Sequence, residues 1–190
     1  MPKQKFEKLR PYLNIILFVV ALLAANYFWK FTVHGDESGT QVTWFGIDIT
    51  APFSFLANHI ATVVYWLVHF LRCTIQQLDE TLLMFDSGSA VRIVWSCTAL
   101  KQSFIWLIIM LVARGPWLKK IWFIPLGWVC AYLFNILRIT IITLVIEHHP
   151  ELFELMHTYV FKYLFYMMLF GLWLWWTHGI VPKSQQYLYV

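Results

Sequence analysis

The chain has 190 residues, of which 60% are hydrophobic and only 13% are charged. This composition excludes an ordinary soluble domain, and the length predicts a single membrane domain over residues 1–190, surrounded by membrane lipid. Much of the net charge of +4 comes from two short basic clusters, residues 3–10 and 114–120, at the ends of apolar runs. That distribution is typical of the positive-inside rule and argues against a nucleic-acid partner.

The first apolar run, residues 12–31, is long enough to cross a bilayer. No small-residue cleavage site follows it, so we expect an uncleaved anchor that leaves the cytoplasm after the basic N-terminus. Residues 32–51 are acidic and rich in turn-forming residues, and a short strand is predicted over residues 42–49. We expect this segment outside the cytoplasm.

The segment 53–71 can be read in two ways. Its length permits a span, but polar side chains recur every three or four positions and form a stripe. Neither flanking segment has the Lys/Arg excess of a cytoplasmic loop. We expect a helix that lies in the membrane interface or enters the outer leaflet, with a full crossing as the alternative.

Residues 81–85 and 90–95 flank the turn Asp86-Ser87-Gly88-Ser89. Turn residues between two β-prone runs predict a short exterior β-hairpin, which would bring the chain to Cys97 at the membrane surface.

The remaining apolar runs predict three further spans, at residues 98–113, 121–146 and 160–176. The basic linker 114–120 and the tail 177–190 are expected in the cytoplasm. The predicted fold class is therefore an all-α integral membrane protein, a polytopic helix bundle of four to five spans with an exterior hairpin.

Three reactive side chains, Cys97, Arg138 and His157, fall on the predicted outer side. Arg138 is expected about two turns, roughly 12 Å, below the outer end of its helix. An ionisable group in an apolar helix costs roughly 2.5–3.5 kcal/mol, so a retained guanidinium indicates a partner or a task. Cysteine, arginine and histidine together indicate acyl transfer by a thiolate.

Two further residues are predicted to support this group. Lys101 follows Cys97 by four residues, and we expect it on the same helical face, with the helix N-terminus beside the sulfur. Both features favour a thiolate. Asn135 precedes Arg138 by one turn on the same face and is expected to orient the site.

Each residue also has a structural alternative. Cys97 could serve packing or form a disulfide with Cys73. Arg138 could pair with Glu147 or with backbone carbonyls. His157 could be a solvated loop residue. These alternatives remain open from the residues alone.

The segments that contain Cys97, Asn135-x-x-Arg138 and His157 resemble the exosortase/archaeosortase family of polytopic membrane cysteine transpeptidases. The resemblance covers roughly residues 80–177, and the chain looks most like the short bacterial branch of that family. It implies that Cys97 is the nucleophile, that Arg138 stabilises the thiolate or an oxyanion, and that His157 is the general acid and base.

One departure from the family pattern lies next to the nucleophile. The family usually has Cys-Ser-Gly or a close variant where this chain has Cys97-Thr98-Ala99. Alanine therefore replaces a glycine, and the local backbone geometry could differ.

The resemblance implies a membrane-embedded cysteine protease or transpeptidase. Such an enzyme cleaves the C-terminal sorting signal of exported proteins through a thioester, at the outer face of the bacterial inner membrane. Its partners would be exported proteins with a C-terminal transmembrane sorting tail. We expect no cofactor and no metal site, since the three cysteines match no zinc spacing.

Two other classes of function were weighed. A non-catalytic envelope assembly or scaffold protein is the main alternative. A haem- or quinone-binding subunit is disfavoured, because most of the histidines fall near predicted helix ends or in loops.

Overall fold

The computed structural model describes residues 2–36, 41–71 and 73–181, with side chains from residue 12 onward. The side chains of the N-terminal basic cluster and most of the predicted cytoplasmic tail, residues 182–190, lie outside the described residues. The described chain is mostly helical and contains five α-helices: α1 Pro2–Thr32, α2 Thr50–Phe70, α3 Leu100–Val112, α4 Trp117–His148 and α5 Phe161–Trp175.

Three stretches in the described part of the chain are long and apolar enough to cross a membrane: Tyr12–Thr32, Thr50–Phe70 and Trp117–His148. At 1.5 Å per residue, 21 residues extend for about 32 Å, close to the thickness of the hydrocarbon layer. The shorter α3 is also apolar. The fold class is thus that of a helical membrane protein, and the number of spans stays a prediction.

The distribution of polarity also fits a bilayer. α4 exposes 81% of Trp122 and 80% of Leu118, whereas Asn135, Arg138 and Thr143 on the same helix are buried. A membrane helix shows this arrangement because lipid accepts apolar surface, while polar side chains need the protein interior.

α3 and α4 form an antiparallel pair that defines the two ends of the bundle. Residues 113–116 join them at one end, called here the linker end. There the buried Lys120 donates hydrogen bonds through Nζ to the carbonyl oxygens of Ala113, at 2.5 Å, and Leu111, at 3.5 Å. The opposite end, called the site end, contains the N-terminus of α3 and the C-terminus of α4.

A first three-stranded antiparallel sheet follows α1 at the site end, with strands β1 Val33–Gly35, β2 Val42–Trp44 and β3 Ile47–Asp48. The single strand predicted over residues 42–49 is wrong. Phe45 and Gly46 have φ angles of 49° and 82°, so the chain reverses there in a tight turn.

A second antiparallel sheet comprises β4 Ile75–Gln77, β5 Leu82–Phe85 and β6 Ala90–Arg92. β5 and β6 are the two strands predicted around the turn 86–89, and the amide of Phe85 donates to the carbonyl of Ser89 at 2.8 Å. β4 was not predicted, and it extends the hairpin to three strands.

The second sheet lies along α2. Its buried Leu83 and Phe85 pack in one cluster with Ile60 and Val64 of α2, and Asn58 donates to a carboxylate oxygen of Glu80 at 2.5 Å. Open sheet edges do not occur in the hydrocarbon layer. Whether α2 lies at the membrane interface, enters the outer leaflet or crosses the bilayer stays a prediction, since its length and composition also permit a span.

Candidate active site

Cys97 ends a single 3₁₀ turn, Trp95–Cys97, that leads from β6 toward α3. The amide of Cys97 donates to the carbonyl of Val94 at 2.8 Å, and the hydroxyl of Thr98 donates to the carbonyl of Trp95 at 2.8 Å. The indole of Trp95 in turn donates to the carbonyl of Asp36, at 3.2 Å. Hydrogen bonds therefore hold the nucleophile candidate in a defined turn.

Ala99 separates this turn from α3. It is buried and has φ 61° and ψ 6°, the left-handed conformation, and α3 begins at Leu100. This conformation costs an L-residue about 1–2 kcal/mol, whereas glycine adopts it readily. The chain therefore keeps, with an alanine, a backbone conformation to which the family's usual glycine is suited.

The helical-face argument for Lys101 is wrong. Lys101 lies in the first turn of α3, but Cys97 lies before the left-handed break at Ala99 and is not part of that helix. The rule that residues four apart share a face applies only within one helix. Lys101 instead lines a cavity with Ser96 and Lys30, and its role in supporting Cys97 stays a prediction.

Arg138 lies on the inner face of α4, and only 7% of it is exposed. Its Nε atom is buried and has no hydrogen-bond partner in the described part of the chain. The ion pairs found among the described residues do not include one with Glu147. Arg138 does interact electrostatically with Cys97.

Asn135 joins α4 to the Cys97 turn. It is 1% exposed, and its Nδ2 donates a hydrogen bond to the backbone carbonyl of Cys97 at 2.6 Å. Its Oδ1 is buried and lacks a partner among the described residues. Asn135 thus contacts Cys97 itself, and its orienting role stays a prediction.

His157 lies between α4 and α5, in a π-helix, Leu155–Val160. Its half-buried ring stacks on Phe153, with centroids 5.2 Å apart and planes at 18°. Burial, and then the positive charge of Arg138, lower the pKa of His157 below its ordinary value. The neutral imidazole, which can accept a proton, is therefore favoured.

Arg138 interacts electrostatically with two other candidate site residues, Cys97 and His157. A buried cation near a thiol and a neutral imidazole can stabilise a thiolate, or an oxyanion formed when that thiolate attacks a carbonyl. The structure thus places Arg138 within electrostatic range of the other two residues that the sequence singled out.

Cys73, Cys97 and Cys130 are all free. Cys73 and Cys97 both pack against the cluster between α2 and the second sheet, but no bond joins them. The disulfide alternative for Cys97 is not realised in this structure.

A large apolar cavity adjoins the site. Its volume is about 630 Å³, and Thr98 and Ala99 form part of its wall. Tyr132 lines it too, with its hydroxyl 2.9 Å from Nε2 of His59. No local signal in the sequence links Tyr132 to His59, which lie 73 positions apart.

A family model described as transmembrane exosortase matches residues 40–176, well over half of the 190-residue chain. The chain belongs to the transmembrane exosortase family. The resemblance found in the sequence is confirmed, and the match begins about 40 residues earlier than expected, so that it includes α2 and the second sheet. Membership indicates a membrane transpeptidase. No curated protein and no solved structure matches the chain.

Proposed function

We propose that this exosortase is a cysteine transpeptidase that cleaves the C-terminal sorting signal of exported proteins through a thioester on Cys97. One observation carries the proposal: Arg138 is buried, its Nε is unpartnered among the described residues, and it interacts electrostatically with both Cys97 and His157. A bilayer helix keeps such a cation at considerable cost, which indicates a task rather than packing.

The reaction begins when neutral His157 accepts the thiol proton of Cys97. The thiolate attacks the scissile carbonyl, and a C–S bond forms while the carbonyl oxygen becomes an oxyanion stabilised by Arg138. The C–N bond then breaks as protonated His157 returns its proton to the leaving amine. A thioester remains on Cys97.

The second half resolves that thioester. His157 accepts a proton from an acceptor amine or from water, which attacks the thioester carbonyl. The C–S bond breaks, and the thiolate regains its proton from His157. Asn135 contributes by holding the carbonyl of Cys97, so that the sulfur keeps its position through both halves.

The membrane orientation follows from charge. Arg114, Lys119 and Lys120 lie at the linker end, and lysine and arginine excess marks cytoplasmic loops. The site end, with Cys97 and His157, would then face the periplasm of a bacterial inner membrane. Exported proteins with a C-terminal transmembrane tail would reach the site from that side.

The test is processing of a co-expressed exported protein with such a tail, followed as a mobility shift on gels. Cys97→Ala should abolish processing, and His157→Ala should slow it by roughly 10²- to 10⁴-fold. Cys130→Ala is the matched control and should process normally. Normal processing by Cys97→Ala would favour the non-catalytic scaffold instead.

A further inference from the structure

A small cavity of about 190 Å³ lies beside the Cys97 turn and contains two lysines. Lys30 comes from the last turn of α1 and Lys101 from the first turn of α3, while Ser96 and Thr98 contribute from the turn itself. Two of the residues that flank Cys97 in the chain therefore form part of a cationic wall.

A third lysine adds to this positive charge. Lys101 is in electrostatic range of both Lys30 and Lys162, which lies in the first turn of α5. The ion pairs in the described part of the chain join other residues, and none of these three lysines takes part in one. Like charges that approach one another are unfavourable, and an anionic ligand would relieve their repulsion.

The cationic cavity adjoins the large apolar one. The two share Trp29, Val33, Phe53 and Thr98 as wall residues. The apolar cavity follows α3 from Leu100 as far as Leu107, about 10 Å along the helix axis. A positively charged compartment thus lies next to an apolar one.

We propose that this composite site binds an anionic phospholipid, with its phosphate at Lys30 and Lys101 and an acyl chain in the apolar cavity. Lysine binds phosphate as a point charge, and the apolar compartment suits hydrocarbon. Phe28 and Trp44, which line the apolar cavity, are 46% and 43% exposed, so lipid can enter from the side of the bundle.

A substrate peptide with an acidic side chain is the competing occupant. The lipid is favoured because its phosphate and chain match both compartments at once, and because Phe28 at the cavity wall belongs to a stretch, Tyr12–Thr32, that is long and apolar enough to cross a membrane. This inference does not depend on the proposed chemistry of Cys97, since binding requires only the lysines and the cavity.

The experiment reconstitutes the purified protein in nanodiscs that contain equal amounts of phosphatidylglycerol and phosphatidylcholine with identical acyl chains. Lipids retained after gentle extraction are counted by native mass spectrometry. The unmodified protein should retain phosphatidylglycerol preferentially. In the double variant Lys30→Gln/Lys101→Gln, the preference for phosphatidylglycerol should fall by about fivefold for each lysine replaced.

Two variants serve as controls. Lys119→Gln removes one positive charge at the linker end and should keep the preference for phosphatidylglycerol. Lys30→Arg/Lys101→Arg keeps the charge and should keep most of the preference, which separates a charge effect from misfolding.

Equal retention of phosphatidylglycerol by the unmodified protein and the Gln/Gln variant would overturn the proposal. If substrate processing fell in that variant at the same time, the lysines would instead serve the substrate or the Cys97 thiolate. Cys97→Ala should retain phosphatidylglycerol like the unmodified protein, so a failure of the catalytic proposal is seen separately.

Discussion

Replacing Arg138 with methionine should make the protein more stable and inactive. Only 7% of Arg138 is exposed, and its Nε has no partner among the described residues. A charged side chain at the centre of a bilayer helix costs roughly 2.5–3.5 kcal/mol, which an apolar side chain of similar length avoids. The expected gain in the free energy of unfolding is therefore roughly 2–3 kcal/mol.

Thermal unfolding in detergent, followed by far-ultraviolet circular dichroism, measures this gain. At about 2–4 °C per kcal/mol for a chain of this size, the Tm should rise by roughly 4–12 °C. Leu137→Met, at a neighbouring exposed position, is the matched control and should change stability by less than about 0.5 kcal/mol. If Arg138→Met lowered the Tm and still processed substrate, Arg138 would be a structural residue and the proposed mechanism would fail.

Three further predictions concern pH, packing and the backbone. Burial and the charge of Arg138 lower the pKa of His157, so the rate of processing should stay constant as the pH falls to 6.5 and should decrease only at lower pH. In His157→Gln the pH–rate profile should lack this decrease. By the same shift, the unfolded chain takes up this proton first, so chemical unfolding should require less denaturant below pH 6.5. Gly127→Ala should destabilise the fold by roughly 1–3 kcal/mol in thermal unfolding, since its Cβ would overlap the fully buried ring of Trp106, while Gly171→Ala, which meets open space, should not. Ala99→Val should reduce both Tm and processing, because a β-branched residue tolerates a φ of 61° poorly, and unchanged values would show that this conformation is not required.

The helices could be predicted from the sequence because a membrane-spanning helix needs about 20 consecutive apolar residues, and few other structures contain so long a run. The strands β5 and β6 could be predicted because the residues of Asp86-Ser87-Gly88-Ser89 are typical of a turn. Strand β4 could not be predicted, because Ile75–Gln77 is short and forms a strand only through its pairing with β5 and its packing on α2.

The site shows the same division between local and non-local information. The reactive residue types identified Cys97, Arg138 and His157, because such side chains are costly inside an apolar bundle. The left-handed conformation of Ala99 gave no local signal, and it removed Cys97 from the helix of Lys101. The bond from Asn135 to the carbonyl of Cys97 joins two elements 38 positions apart, so no pattern of helical spacing predicts it.

The π-helix at Leu155–Val160 fixes the rotational phase between His157 and α5. A π-helix carries one more residue per turn than an α-helix, and each residue of an α-helix advances the chain by 100°. The wider turn therefore absorbs one extra residue, and deleting one residue between positions 158 and 160 would let a regular α-helix form with His157 turned by less than about 40° relative to α5. The same deletion inside α5, where no wider turn absorbs it, would turn the two parts of that helix by about 100° relative to each other. A single-residue deletion at positions 158–160 should therefore leave more of the processing activity than one at positions 166–168.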